Sequence, residues 1–200
     1  MRRIVLVVSL IGWSVGCLAQ QPKTPDVETV TKVTILNPGI GYEHPIGHHQ
    51  TLYLQGMFSI SGSLGYSGNL GWLSELYIHP ALSLEYRYYF GWKRRLERGK
   101  RVALNSANYL AGFFRTDFPE RYYWNNAGSL DRFRKAIHAL GVTAGMQRNY
   151  RGRFSLDLNI GFGHTIEPGY TDASGYWYTK NSQFYFPGRL SLGIWLNKRK

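Results

Sequence analysis

From Phe154 to Gly163 the chain alternates without a break. Phe154, Leu156, Leu158, Ile160 and Phe162 hold the even positions, and Ser155, Asp157, Asn159, Gly161 and Gly163 hold the odd ones. A period of two puts all the large apolar groups on one face of a β-strand and leaves the other polar or empty. A strand of a soluble sandwich reads the same way, with its apolar face turned into a core. Recurrence, strand length and the destination of the chain therefore have to separate the two cases.

The pattern recurs. From about Gln50 to Ser61, Leu52, Leu54, Phe58 and Ile60 oppose Thr51, Tyr53, Gln55 and Ser59. From about Glu75 to Trp92, Leu82, Leu84, Tyr86 and Tyr88 oppose Ser83, Glu85, Arg87 and Tyr89. Further strands are expected over 136–149 and over 183–197, where Leu190, Leu192, Ile194 and Leu196 alternate with Arg189, Ser191, Gly193 and Trp195. These runs exceed the ~5–6 residues usual for soluble strands and suit a tilted membrane crossing of ~9–11 residues. Two stretches are weaker. A strand starting near Thr29, which passes Val33 and Ile35, is interrupted at Asn37-Pro38-Gly39 and resumes as Ile40 to Glu43; Pro38 has no N–H to donate, so a bulge or an edge is expected there. Over 102–116 the alternation is too weak to assign faces.

The destination is written at the start. Met1-Arg2-Arg3, the apolar run from Ile4 to Val15, and Cys17-Leu18-Ala19 before Gln20 have the order of a secretory signal peptide cleaved after Ala19. Ser14 stands where an acylated Cys17 would require a branched apolar residue. Cys17 is the only cysteine, so the mature chain forms no disulfide, and after Ala19 no apolar run reaches the ~18 residues of a spanning helix. A soluble exported domain or a closed barrel remains. Twenty-three glycines and 16% aromatic residues suit strands and interfacial girdles. The net charge of +12 would suggest nucleic acid in an intracellular protein, but in an exported one it points to lipid or lipopolysaccharide phosphates.

The connections decide for the barrel. Short links at 44–49 and 149–152 and a basic link at 93–101 alternate with longer loops at 62–74, 117–135 and 166–182, as in barrels with short periplasmic turns and long outer loops. The expected architecture is all-β: an antiparallel up-and-down transmembrane β-barrel of eight strands. It occupies 29–200, behind a signal peptide at 1–19 and a flexible leader at 20–28. Seven strands are clear; the eighth is to come from the interrupted N-terminal strand, from 103–116 or from the loops. Leu82, Leu84, Leu156, Leu158, Ile160, Leu192 and Ile194 are expected to face lipid. Glu43, Glu85 and Asp157 are expected to meet Arg87, Arg189 and Arg148 in a lumen filled by ion pairs, since charges kept from water need partners.

The segments Pro38 to Glu43, His79 to Tyr89 (HPALSLEYRYY) and Asn105 to Leu110 (NSANYL) resemble small outer-membrane β-barrel proteins common in Bacteroidota. The resemblance implies an outer-membrane location and no catalytic residues.

Candidate sites are sparse. His44, His48 and His49 cluster at a turn without carboxylates, so neither a metal nor a cofactor is expected. Ser155 and His164 lie roughly 30 Å apart on an extended strand at ~3.3 Å per residue, with opposite parity, and cannot act together. Trp72, Tyr122 to Trp124 and Tyr176 to Tyr178 suit an interfacial girdle. The expected role is structural, or binding of an outer partner through the three long loops, with no catalysis. Two alternatives stay open. A lipid-modifying enzyme would need a His with a Ser, Asp or Glu converging near the outer rim, and a soluble lipocalin-like carrier would turn the apolar positions inward.

Overall fold

The computed structural model describes residues 27–68, 71–118, 124–125, 136–171 and 177–197. The expected signal peptide, residues 20–26 and nearly all of the 117–135 loop lie outside them. The chain is all-β. Its main strands are β1 (Val30–Thr34), β2 (Gly39–Gly47), β3 (Gln50–Ser67), β4 (Gly71–Phe90), β5 (Asn108–Asp117), β7 (Ile137–Asn149), β8 (Phe154–Glu167), β11 (Asn181–Tyr185) and β12 (Gly188–Trp195). Three two-residue strands accompany them: β6 (Trp124–Asn125) beside β4, and β9 (Tyr170–Thr171) paired with β10 (Trp177–Tyr178).

From β1 to β8 each main strand runs antiparallel to the next, β11 and β12 both pair with β8, and β12 pairs back onto β1, so the nine strands close in a ring. β11 and β12 lie end to end on β8, separated where Pro187 has no N–H to give. Closing a sheet requires a stagger between its strands. Stepping from Val33 to Ile40, Gly56, Leu82, Thr116, His138 and Ile166, the ladder arrives at Ser182. The partner of Val33 on its other side is Ile194, twelve residues further along the same chain segment.

Several boundaries differ from the sequence expectation. Asn37-Pro38-Gly39 is a full reversal between two strands rather than a bulge or edge: Asn37 takes φ 54°, and the Thr34 hydroxyl donates to its carbonyl at 2.8 Å. The interrupted N-terminal segment thus supplies the additional strand. The loop expected at 62–74 continues the β3–β4 ladder from Gly62↔Leu76 to Ser67↔Gly71, because backbone pairing needs no side chain and a long neighbour templates the Gly- and Ser-rich stretch. The 166–182 loop likewise contains the ends of β8 and β11 and the β9–β10 pair. The basic link is the helix α1 (Trp92–Glu97) followed by a 3-10 turn at Ala103–Asn105, and the next strand starts at Asn108, not at Val102.

Two ends follow from this. The connections 48–49, 91–107 and 150–153 share one end, called the base; those at 35–38, 68–70, 118–136 and 168–180 share the other, the rim. At the base Trp92, Leu104 and Asn105 are buried. Val27 packs against Tyr89, Trp92, Ala107 and Tyr109. The Glu28 N–H donates to the Asn105 side-chain oxygen at 2.7 Å, and the Asn105 amide returns a bond to the Glu28 carbonyl at 2.8 Å. Val27 and Glu28, expected in a flexible leader, are therefore docked.

The β7 backbone approaches Gly161 so closely that a Cβ added there would lie 2.0 Å from the Val142 carbonyl oxygen and 2.7 Å from the Thr143 Cα. Gly161→Val is expected to cost about 2–3 kcal/mol through forced separation of β7 and β8, read as a lower midpoint in thermal unfolding. Gly152→Ala, where an added Cβ meets nothing within 4 Å, serves as the control and should leave the midpoint within a degree or two, as surface substitutions do.

Candidate functional site

The inner face carries charge. Lys32, Glu43, Glu85, Arg87 and Asp157 are each no more than 3% exposed. Their partners come from strands across the ring, not only from neighbours in the sheet. The Lys32 ammonium on β1 donates to the Gln147 oxygen on β7 at 2.6 Å and stands 3.5 Å from the Asp157 carboxylate on β8. Arg87 on β4 donates to the same Gln147 oxygen at 2.8 Å, lies 3.0 Å from Asp157 and donates through Nε to Glu85 at 2.8 Å. Arg189 reaches the other Glu85 oxygen at 2.7 Å. Glu43 accepts from the Thr51 hydroxyl at 2.7 Å, the Tyr89 hydroxyl at 2.5 Å and the Gln147 amide at 3.0 Å.

Three cations, Lys32, Arg87 and Arg189, thus stand against three carboxylates, Glu43, Glu85 and Asp157, and tyrosine faces lie against the cations. The Arg87 guanidinium lies 3.9 Å from the centre of the Tyr53 ring and 4.4 Å from that of Tyr109, whose hydroxyl donates to Asp157 at 2.6 Å. Buried ions tolerate burial only when paired and hydrogen-bonded; each of these is in contact with an opposite charge or accepts several hydrogen bonds, though two N–H groups of Arg189 are left without a partner. With α1 and the 3-10 turn beneath, the basal half of the interior is filled.

The rim half is not. A cavity of about 520 Å³ lies above Glu85 and Arg189, walled by Phe113, Ile137 and Tyr185 and by polar groups from β3, β4, β5, β7 and β8. On one side of it Arg115 forks onto Asp117 at 2.6 and 2.9 Å, and Asp117 also meets His79 Nε2 at 2.9 Å. Ser59, directly across the ladder from His79, accepts from Arg115 at 2.7 Å. A histidine held by a carboxylate is oriented as a general base would be. Its Nδ1, however, is buried without a hydrogen-bond partner, and the nearby hydroxyl is engaged by Arg115. Within this cluster no hydroxyl is hydrogen-bonded to the imidazole.

The five residues expected to pair inside, Glu43, Glu85, Arg87, Asp157 and Arg189, all stand on the inner face and join one network. Arg148 does not: it shares its parity with Leu140, Val142 and Ala144 and points outward, donating to Asn108 at 2.7 Å. Leu82, Leu84, Leu158, Ile160 and Ile194 are exposed on the outer face; Leu156 and Leu192, opposite each other on the β8–β12 ladder, lie there too, half-buried. This polarity is the reverse of a lipocalin-like carrier.

Ser155 is buried near the base, whereas His164 sits toward the rim on the other face, bonded to the Ser182 hydroxyl and edge-on to Phe184. His48 and His49 stack at the basal turn, His49 against Trp92. Among the described residues no three His, Cys, Asp or Glu side chains are grouped to hold a metal ion. Trp72 packs edge-on against Tyr66 at the tip of the β3–β4 hairpin, and Trp124 pairs with Leu76; Tyr122, Tyr123 and Tyr176 lie outside the described residues.

The sequence reading missed Lys32, Gln147 and the His79–Asp117–Arg115 cluster. Lys32 was legible, since it alternates with Val33 and Ile35. The cluster was not, because it joins β4 to the one strand whose faces the pattern left open.

Removal of one member should expose the dependence of the fold on charge balance. Asp157→Asn leaves Lys32 and Arg87 short of an anion, with an expected loss of about 3–5 kcal/mol. Arg148→Gln, which disturbs only a half-buried outer contact, is expected to cost less than about 1 kcal/mol. Denaturant unfolding of the folded protein checks both. No protein-family model, curated protein or solved structure matches this chain.

Proposed function

We propose that this chain is a small outer-membrane β-barrel, with β11 and β12 counted as one of eight staves, whose role is structural or binding rather than catalytic. The observation that carries this reading is the outer face. Every stave turns a large apolar side chain outward with at least 39% of its surface exposed: Val33, Ile40, Leu54, Leu84, Phe114, Val142, Leu158 and Ile194. Monomeric soluble proteins rarely leave apolar surface continuous beyond a few hundred Å², and lipid is the solvent that suits such a belt while ion pairs occupy the axis.

Three further features support it. Strands of 10 to 20 residues at β3, β4, β5, β7 and β8 are long enough for a tilted crossing. The basal connection carries Lys93, Arg94, Arg95, Arg98, Lys100 and Arg101, suited to anionic headgroups. The extended β3–β4 hairpin and the connections at 118–136 and 168–180 would form the outer surface available to lipopolysaccharide or an extracellular partner. The filled basal half argues for a plugged barrel and against an open pore.

A second reading, a lipid-modifying enzyme, draws on His79, Asp117 and Ser59 beside the rim cavity. The non-catalytic account expects wild-type protein to release no more fatty acid from phospholipid vesicles than His79→Gln does.

The membrane reading is tested by cell fractionation with gel mobility before and after heating. Recovery in the outer membrane with a heat-modifiable shift is expected; recovery in the soluble periplasm without one would contradict it. Leu84→Arg, at mid-stave, should lower folded stability in bilayers by about 2–4 kcal/mol, whereas in a soluble protein an exposed arginine there would be nearly neutral.

A further inference from the structure

The wall of the ring is low at the β1–β2 hairpin. β3 is paired on both sides only as far as Met57, opposite Gly39. Phe58 and Ile60 still donate to Pro38 and Asn37, but beyond them the ladder continues on the β4 side alone. On the far flank β11 pairs only with β8. The β1–β2 hairpin stands between these flanks in ring order, and it stops short: its tip meets Met57 on one side, and on the other the Ile35 N–H reaches the Leu192 carbonyl at 2.7 Å. The twelve-residue stagger carries β11 well above that tip.

The rim cavity reaches this window. Ser59 lines it from one flank and Tyr185 to Gly188 from the other, and no residue of β1 or β2 contributes. Outside, both flanks are apolar: Phe58 and Ile60 are exposed, and Phe184 and Phe186 are 83% and 86% exposed. Inside, Arg189 uses Nη1 on Glu85, while Nε and Nη2 are buried with no hydrogen-bond partner. Those two N–H groups form the side-on fork of a guanidinium, which matches a carboxylate or phosphate in bidentate fashion. Thr143, 6% exposed and lining the same cavity, has a hydroxyl equally without a partner. Buried donors left unpaired are rare and call for a partner.

We propose that the rim cavity binds a single-chain acyl amphiphile drawn sideways from the membrane. Its oxyanionic head sits on the Arg189 fork and the Thr143 hydroxyl, and its tail leaves through the window between β3 and β11. The proposal rests on the membrane reading above. Since Arg189–Glu85 and Arg115–Asp117 are already paired, the head is selected by the geometry of the fork rather than by net charge. Phe184 and Phe186 then flank the tail, which accounts for aromatic rings exposed beside an unpaired strand edge.

The test is photo-crosslinking of detergent-solubilised protein by palmitate carrying a diazirine near its carboxylate, with peptide mapping. Saturable labelling of the peptides holding Tyr185 to Arg189 and Ala139 to Thr143 is expected, displaced by unlabelled palmitate. Competition by butyrate or by hexadecane should be at least tenfold weaker. Thr143→Val, nearly isosteric and removing a hydroxyl that bonds nothing in the protein, should keep the fold and raise the competing palmitate concentration about three- to tenfold, the equivalent of one hydrogen bond.

Labelling spread evenly over the outer belt, or hexadecane competing as well as palmitate, would overturn the head site. Butyrate competing equally would show that the cavity takes a soluble anion and that the window plays no part. A chain that fractionates as a soluble protein refutes the membrane reading by itself; specific labelling of the solubilised protein would then still report whether the fork holds the head.

Discussion

Six ionised side chains held inside one ring of strands permit no imbalance. Lys32, Arg87 and Arg189 come from β1, β4 and β12, and Glu43, Glu85 and Asp157 from β2, β4 and β8, so the network forms only when the ring has closed. Gln147 joins its parts, accepting from two cations and donating to one carboxylate. An interior of this kind supplies little net free energy, because desolvation offsets much of the Coulomb attraction. What it supplies is register. Sliding β1, β2, β4, β8 or β12 by one residue would turn a charge outward and a large apolar side chain inward.

The outer face follows from the inner one. Once the polar positions are turned to the axis, the period of two obliges the apolar positions to face out on every stave, and the fold then needs a solvent in which that is favourable. The interior divides in turn. At the base, Tyr89, Tyr109, Trp92 and the 3-10 turn fill the ring, while towards the rim Ser83, Ala139 and Thr143 are too small to do so and a cavity remains. The early turn at 35–38 leaves the β1–β2 hairpin shorter than its neighbours, and the gap in the wall lies beside that cavity.

How far this was legible in the sequence depended on parity. Where alternation was strict, as over Leu82 to Phe90, Phe154 to Gly163 and Gly188 to Trp195, each inner and outer residue could be assigned, including Glu85, Arg87, Asp157 and Arg189, four of the five charges of the expected network. Arg148 was misassigned because charge was weighed above parity. Propensity misled in the Gly- and Ser-rich segment after Ser61, where the ladder to β4 overrides it, and at Asn37-Pro38-Gly39, where a tight reversal resembled a defect in one strand. The rim cluster depended on which β5 residues face inward, and Gly112, Phe113 and Thr116 blur that pattern. Docking of Val27 and Glu28 through Asn105 is a long-range contact with no local signature.

The central claim is that the alternate apolar positions meet acyl chains. Because Cys17 is the only cysteine, single cysteines introduced together with Cys17→Ser carry no labelling background. Spin labels at Leu84→Cys, Leu158→Cys and Ile194→Cys, in protein folded into bilayers, report the relative collision rates with oxygen and with a water-soluble nickel complex. The account predicts that all three are reached by oxygen and shielded from nickel, with Arg153→Cys at the basal turn showing the opposite. Nickel access to Leu84, Leu158 and Ile194 equal to that at the turn would contradict it.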